Sequence, residues 1–270
     1  DDPFALGPTK GVISVDDLHQ MGFAFVGPIV SCFIRWMCQE VWDKSYEMLL
    51  FSARDGYVIK KLYQKRWTCH REHLPKGVYF RTSRRAITVA ALRDENDFDE
   101  IMRKPYKTLK GQLLLKRFGI CADPTDAEAM DSAISTQNGA EVTQYILQYR
   151  NAILQNAEYE RGNYLRYMRK IGLAKAQRVL LYDFCSGGTI QHHLSKLLGP
   201  SVQIHGIYFA TMDWFSTPYH QKYSVHTMFG NVTQYSSGYF TTRHYMFLEA
   251  VLLEHCDTCL YCQDDGTFVY

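Results

Sequence analysis

The sequence predicts an α/β fold of the Rossmann-like kind, a parallel sheet flanked by helices and interrupted by a helical insert. Three observations predict it. Short apolar runs alternate with stretches of helical period. Two of those runs end in polar turns, Ala53-Arg54-Asp55-Gly56 and Asp183-Phe184-Cys185-Ser186-Gly187-Gly188-Thr189. Between them lies a long charged stretch with helical character and no convincing strand.

Residues 1–20, rich in Gly, Pro and Asp, read as a linker or N-terminal arm. Pro28 suits the first turn of a helix, and Ile29, Val30, Phe33, Ile34, Met37 and Val41 then recur at helical spacing, predicting a helix over about 28–43. Tyr46 to Ser52 is a short apolar run that predicts a buried strand, followed by the Arg54-Asp55-Gly56 turn. Val58, Ile59, Leu62 and Tyr63 predict the next helix, Gly77 to Thr82 a second strand, and Ser83 the cap of the helix after it. The segment 94–176 holds charged helical stretches at 98–103, 108–118, 125–134, 140–155 and 158–171. It is read as a helical insert, or cap, between two parts of an α/β core, 21–93 and 177–270.

The sheet pattern resumes at Arg178 to Asp183, turns through Ser186-Gly187-Gly188-Thr189 into a helix reaching about Leu198, and is stopped by Gly199-Pro200. Val202 to Ala210 predicts another strand. Residues 211–243 show no clean period and read as loop with short strands. His244 to Cys256 predicts a helix burying Phe247, Leu248, Val251 and Leu252, and Gly266 to Tyr270 a last strand.

The 270 residues, 46% hydrophobic and 21% charged, are enough for a full core. A net charge of +2 without a basic tail argues against a nucleic-acid partner. The apolar run Met21 to Ile34 is too short for a bilayer and contains Gly27-Pro28, so no membrane span is expected. The start, Asp1-Asp2-Pro3, has no basic n-region and no initiator Met, and reads as a segment of a longer chain without a signal peptide. Eight scattered Cys do not form the pattern of a small disulfide scaffold, which points to a reducing, cytoplasmic location.

In open parallel sheets ligands bind beyond the carboxyl ends of the strands. Three such ends carry polar groups here: Arg54-Asp55-Gly56, Ser83-Arg84-Arg85, and Asp183 through Thr189, with Gln191 one turn further on. Small residues at Ser186, Gly187 and Gly188 let the backbone approach an anion, a helix N-terminus aims N–H groups at it, and Thr189 adds a hydroxyl. Arg84 and Arg85 supply charge and paired donors for phosphate. Each piece has a plainer reading: a tight turn, a helix cap at Asp55, a solvated arginine face. Two further groups carry chemistry. Cys256-x-x-Cys259-x-x-Cys262, with His255 or Cys185 as a fourth ligand, has the spacing of a metal site, although free or structural thiols are the plainer reading. His192 is a candidate general acid or base.

These residues resemble a bacterial family of predicted hydrolases of the haloacid dehalogenase (HAD) superfamily, found among cell-surface polysaccharide genes and often fused to glycosyltransferases. The resemblance rests on Gly27-Pro28, Leu50 to Tyr57, Ser83-Arg84-Arg85-Ala86, Asp183 with Gly188-Thr189-Ile190-Gln191, and Leu248-Glu249. It implies a HAD-like fold with a helical cap, acting on a phosphorylated sugar or nucleotide, with Asp55 and Asp183 catalytic and holding Mg²⁺. HAD phosphatases carry Asp-x-Asp-Gly at the first strand end. Here the nucleophile position of that pattern is Ala53, and only the acid/base survives, as Asp55. A non-catalytic module positioning a fused glycosyltransferase is therefore a standing alternative. A phosphoribosyltransferase-like enzyme is a third reading, from the Leu180 to Ile190 segment, and a methyltransferase ranks last.

Overall fold

The computed structural model describes residues 15–102, 108–120, 133–135, 139–212, 219, 222–232 and 240–270. Most of the expected N-terminal arm, and the helical stretch 125–134 except Ala133 and Ile134, lie outside them. Five parallel strands form the central sheet: β1 (Met48–Ser52), β2 (Lys76–Phe80), β5 (Arg178–Ser186), β6 (Gln203–Thr211) and β7 (Val225–Thr227), in the order β2-β1-β5-β6-β7. The Rossmann-like α/β fold predicted from the sequence is the fold observed.

Side chains alternate across the sheet because successive strand residues face opposite ways. Leu49 and Phe51 of β1, Leu180 and Tyr182 of β5, and Ile207 and Phe209 of β6 share one core cluster with α1 (Leu18–Val41), α2 (Tyr57–Cys69) and α9 (Tyr245–Leu252). Leu50, Val179, Leu181 and Ile204 share the other with α3 (Arg84–Ala91), α7 (Arg150–Lys170) and α8 (Thr189–Leu198). Burial on both faces is why β1 reads as an unbroken apolar run.

Helix α1 departs from its expected start. It begins ten residues before Pro28, at Leu18, and passes through a π turn at Gly22–Val26. The continuous helix has 24 residues and a mean hydropathy of 1.5 in its most apolar window, long and apolar enough by composition to cross a membrane. This corrects the length read from Met21 to Ile34. In the fold, Val30, Phe33, Ile34, Met37 and Val41 of the same helix are buried against the sheet.

The insert also differs from the expected run of helices. Thr108–Lys110 (β3) and Ala133–Ser135 (β4) pair antiparallel, so strand is present where none was convincing. Helices α4 (Phe98–Met102), α5 (Gly111–Arg117) and α6 (Gly139–Gln148) share a third cluster with Val89 and Leu92 and with Ile153 and Ala157 of α7. The further end of α7 packs Tyr164, Tyr167 and Met168 on the sheet, so this helix belongs to insert and core together. The last predicted helix ends early: α9 stops at Leu252, buries Leu248 and Leu252, and leaves Phe247 and Val251 exposed. A two-stranded antiparallel ladder of β8 (Tyr261–Cys262) and β9 (Phe268–Val269) closes the chain.

Candidate functional site

The chain lays β2 on one side of β1 and returns after the insert to lay β5, β6 and β7 on the other. The crevice at such a reversal, beyond the carboxyl ends of the two central strands, is where open α/β sheets bind ligands. The first polar turn continues β1, whereas Asp183 to Ser186, expected as turn, are the last residues of β5 and pair with β6, so the turn proper begins at Gly187; Asp55 and Asp183 meet at that point.

The turn after β1 is held in an unusual backbone. Arg54 has φ 68°, in the left-handed region that disfavours side chains. Its amide donates to the Tyr79 hydroxyl at 2.8 Å, and its carbonyl accepts from the Glu254 amide at 3.1 Å. Gly56 is needed for space rather than for its φ of −87°. A Cβ there would stand 2.7 Å from both Phe51 Cβ and the Ser52 carbonyl oxygen. The tight turn aims Asp55 back at β5.

Asp55 and Asp183 are hydrogen-bonded through their carboxyl groups. Burial, then the charges of Asp183 and Glu249, then that hydrogen bond push Asp55 up to about 8, against the pull of Arg84. Asp183 is 6% exposed, and burial raises it as well. Hydrogen bonds from Ser186 and the Phe184 amide, and the charge of Arg84, work the other way. Asp55 therefore keeps its proton near neutral pH and donates it to Asp183 in that hydrogen bond.

Glu249, on α9, adds a third acid. Burial is the chief cause that raises its carboxyl, opposed first by Arg84. It was visible in the sequence only as part of the Leu248-Glu249 resemblance and was not assigned to the site. Its nearness depends on α9 folding back over the strand ends, which no local pattern encodes.

The remaining predicted site residues divide into two groups. Arg84 is exposed at the start of α3, and its charge acts on Asp55, Asp183 and Glu249 together. Ser186 accepts from the Gly188 amide at 3.1 Å, and Gly188 takes φ 86° as the cap residue of α8. No side chain caps α8, so the first-turn N–H groups from Thr189 onward are left without a side-chain acceptor and can face an anion. Ser52 Oγ and Arg54 Nε are buried without a partner among the described residues, on either side of Ala53.

The second group is spent on the protein itself. Ser83 caps α3 by accepting from the Ala86 amide and donates to the Cys259 carbonyl at 2.5 Å. Arg85 forms a two-pronged pair with Glu160, at 2.7 and 2.8 Å, and also donates to the Leu260 carbonyl. Gln191 is fully buried. It donates to the Ile204 and Ser224 carbonyls and accepts from Tyr208, tying α8 to the far edge of the sheet. Arg54 donates to Thr258 at 2.6 Å. Ser83, Arg85 and Gln191 were expected as phosphate ligands, and their donors are committed elsewhere.

The segment 254–260 supplies Thr258 and the Cys259 and Leu260 carbonyls and crosses the ends of β1 and β2, with Tyr79 donating to Glu254. Cys256, Cys259 and Cys262 lie in and after this strap as free thiols. Among the described residues, the one group of three or more His, Cys, Asp or Glu with ligand atoms within 4.8 Å of one another is Glu100, His192 and His193. The cysteines, with His255 and Cys185, do not converge in that way. Cys185 is held protonated by burial and by the charges of Glu249, Asp183 and Asp55, which removes it as a nucleophile.

No protein-family model matches the chain, and no curated protein matches it.

Proposed function

We propose that the chain binds a phosphorylated sugar or nucleotide at the carboxyl ends of β1 and β5, as a HAD-like domain of bacterial surface-polysaccharide synthesis. The observation that supports this most is the hydrogen-bonded pair of Asp55 and Asp183, at the reversal of strand order and within the field of Arg84. The uncapped first turn of α8 and the small residues Gly187 and Gly188 leave room for phosphate oxygens, and Arg84 offers the matching charge.

Three acids around an anion site need a cation between them. Asp55 and Asp183 are the residues that would hold Mg²⁺, which would neutralise them and draw phosphate oxygens in. In the metal-free state Asp55 carries a proton near neutral pH and is suited to protonate a leaving oxygen. Phosphate-ester hydrolysis is the reaction this fits.

Ala53 stands where the related phosphatases place their nucleophile, so a covalent aspartyl-phosphate cannot form at this turn. That residue favours the second reading, a non-catalytic module that positions a fused glycosyltransferase. Calorimetry with sugar phosphates and nucleotides, with and without Mg²⁺, tests the binding. Asp183→Ala and Arg84→Ala should each weaken it by at least about tenfold, in keeping with the loss of a charge-assisted contact. Unchanged affinity in both variants rejects the site. A panel assay for phosphate release separates the readings: turnover lost in Asp55→Asn supports the hydrolase, and binding without any wild-type turnover supports the module.

A further inference from the structure

A second constellation lies one turn into α8. The geometry points to a divalent transition-metal site formed by Glu100 of the insert with His192 and His193 of α8, of the zinc class, with its open position facing a surface cleft.

The ligand atoms already converge. His193 Nε2 lies 2.8 Å from Glu100 Oε2 and His192 Nε2 lies 3.3 Å from Glu100 Oε1. Zinc bonds of about 2.0–2.1 Å in a tetrahedron put neighbouring ligand atoms roughly 3.3 Å apart; both histidine–glutamate separations are within about half an ångström of that, and the three ligand atoms all lie within 4.8 Å of one another. Neighbouring residues on a helix point in different directions. Here the two rings stand at 80° with centroids 4.9 Å apart, and both Nε2 atoms come to the same carboxylate.

The outer contacts fix the rings as a metal site requires. His193 Nδ1 lies 2.8 Å from the Thr189 carbonyl, which only accepts, so Nδ1 carries the hydrogen. Nε2 faces Glu100 Oε2, and a metal ion there would take the place of the proton between them. The arrangement of backbone carbonyl, imidazole and metal is the usual orienting device for ligating histidines. His192 is held on its far side by the Tyr223 hydroxyl at 3.0 Å and stacks on Tyr219 at 4.3 Å. His193 is 0% exposed and His192 9%, so both rings are shielded from competing water.

Other charges bear on the position. Lys196 pairs with Asp97 and lies 3.5 Å from Glu100 Oε2. Burial raises the Glu100 carboxyl, while His192, His193 and Lys196 outweigh it and hold the group well below the usual carboxylate range. Three protein ligands leave a fourth position, and Glu100 and His192 line a cleft of about 740 Å³ with Lys196, Lys222, Tyr223 and Ser224. A water or an anionic group would complete the coordination from that side. The ion would clip the insert, through α4, to the core helix that also borders the Asp55–Asp183 pair.

The test is direct metal binding by the chelator-treated full chain. Calorimetry with Zn²⁺ should give one equivalent, and Co²⁺ should give the visible absorption of a tetrahedral nitrogen and oxygen site. His193→Ala and Glu100→Gln should each weaken Zn²⁺ by at least about tenfold. Asp183→Ala should leave it unchanged, which separates this site from the proposed phosphate site. If the buried His193→Ala fails to fold, Glu100→Gln, at a part-exposed position, still decides. Absence of stoichiometric binding in the wild type overturns the proposal. So does binding that survives Glu100→Gln but is lost in Cys256→Ser, or cobalt absorption of the thiolate type.

Discussion

Arg84 and Arg85 are neighbours in sequence and opposites in use. Arg85 is locked by two hydrogen bonds to Glu160, a carboxylate that is 3% exposed and whose burial still raises it despite the arginine. Arg84 is exposed and acts on the acids of the site through charge alone. Removing Arg85 leaves a buried acid without its partner, which typically costs about 3–5 kcal/mol if the acid stays charged. Arg85→Ala should therefore lower the urea midpoint sharply. Arg84→Ala should leave stability within about 0.5 kcal/mol, as expected of a surface change. Equal midpoints for the two variants would contradict the division. A dipeptide of two arginines gives no hint of which one turns inward, because Glu160 lies 75 residues away.

At the scale of the element, α1 shows how a local rule gives way to packing. Pro28 has no N–H and its ring crowds the carbonyl four residues back, so the residue reads as a helix start. The chain instead widens into a π turn at Gly22–Val26, with the Gly27 amide donating to the Gly22 carbonyl, and continues. Burial of Val30, Phe33, Ile34, Met37 and Val41 fixes the helix after the proline. Pro28→Ala removes the crowding and restores a donor. It should raise stability by about 1 kcal/mol or more, visible as a higher melting temperature; a fall would show that the π turn is required by the packing. Helix α7 was foreseen as two stretches, 140–155 and 158–171, whereas α6 ends at Gln148 and α7 then runs unbroken from Arg150. Its tyrosines and polar residues alternate without a clean stripe because its two ends pack into different cores.

At the scale of the whole molecule, the sheet order brings two acids from either side of the insert into one hydrogen bond, and this ties global stability to pH. Asp55 stands at about 8 in the folded protein against an ordinary 3.8. Between those values the native state keeps a proton that the unfolded chain has lost. Its contribution to stability is complete below about pH 4 and is lost as the pH rises through about 8. In chelator, the urea midpoint should fall from pH 5 to pH 8, and Asp55→Asn should flatten that slope. A wild-type slope equal to the variant's would show that Asp55 does not keep its proton.

The sequence by itself determined the class of fold and which strand ends carry the polar groups of the candidate site. Unbroken apolar strands alternating with periodic helices encode a sheet covered on both faces, and polar residues just past Ser52 and within Asp183 to Thr189 mark strand ends, because these are short-range signals. Tertiary structure alone decided which residues share the site. Glu249 joins it because α9 folds back over the strand ends, and Ser83, Arg85 and Gln191 leave it because the strap 254–260, α7 and the β6–β7 edge take their hydrogen bonds. It also turned the adjacent His192 and His193 onto a glutamate 92 and 93 residues away. A hydrogen bond is satisfied by whatever partner the fold delivers, and that partner's distance along the chain leaves no trace in the local pattern.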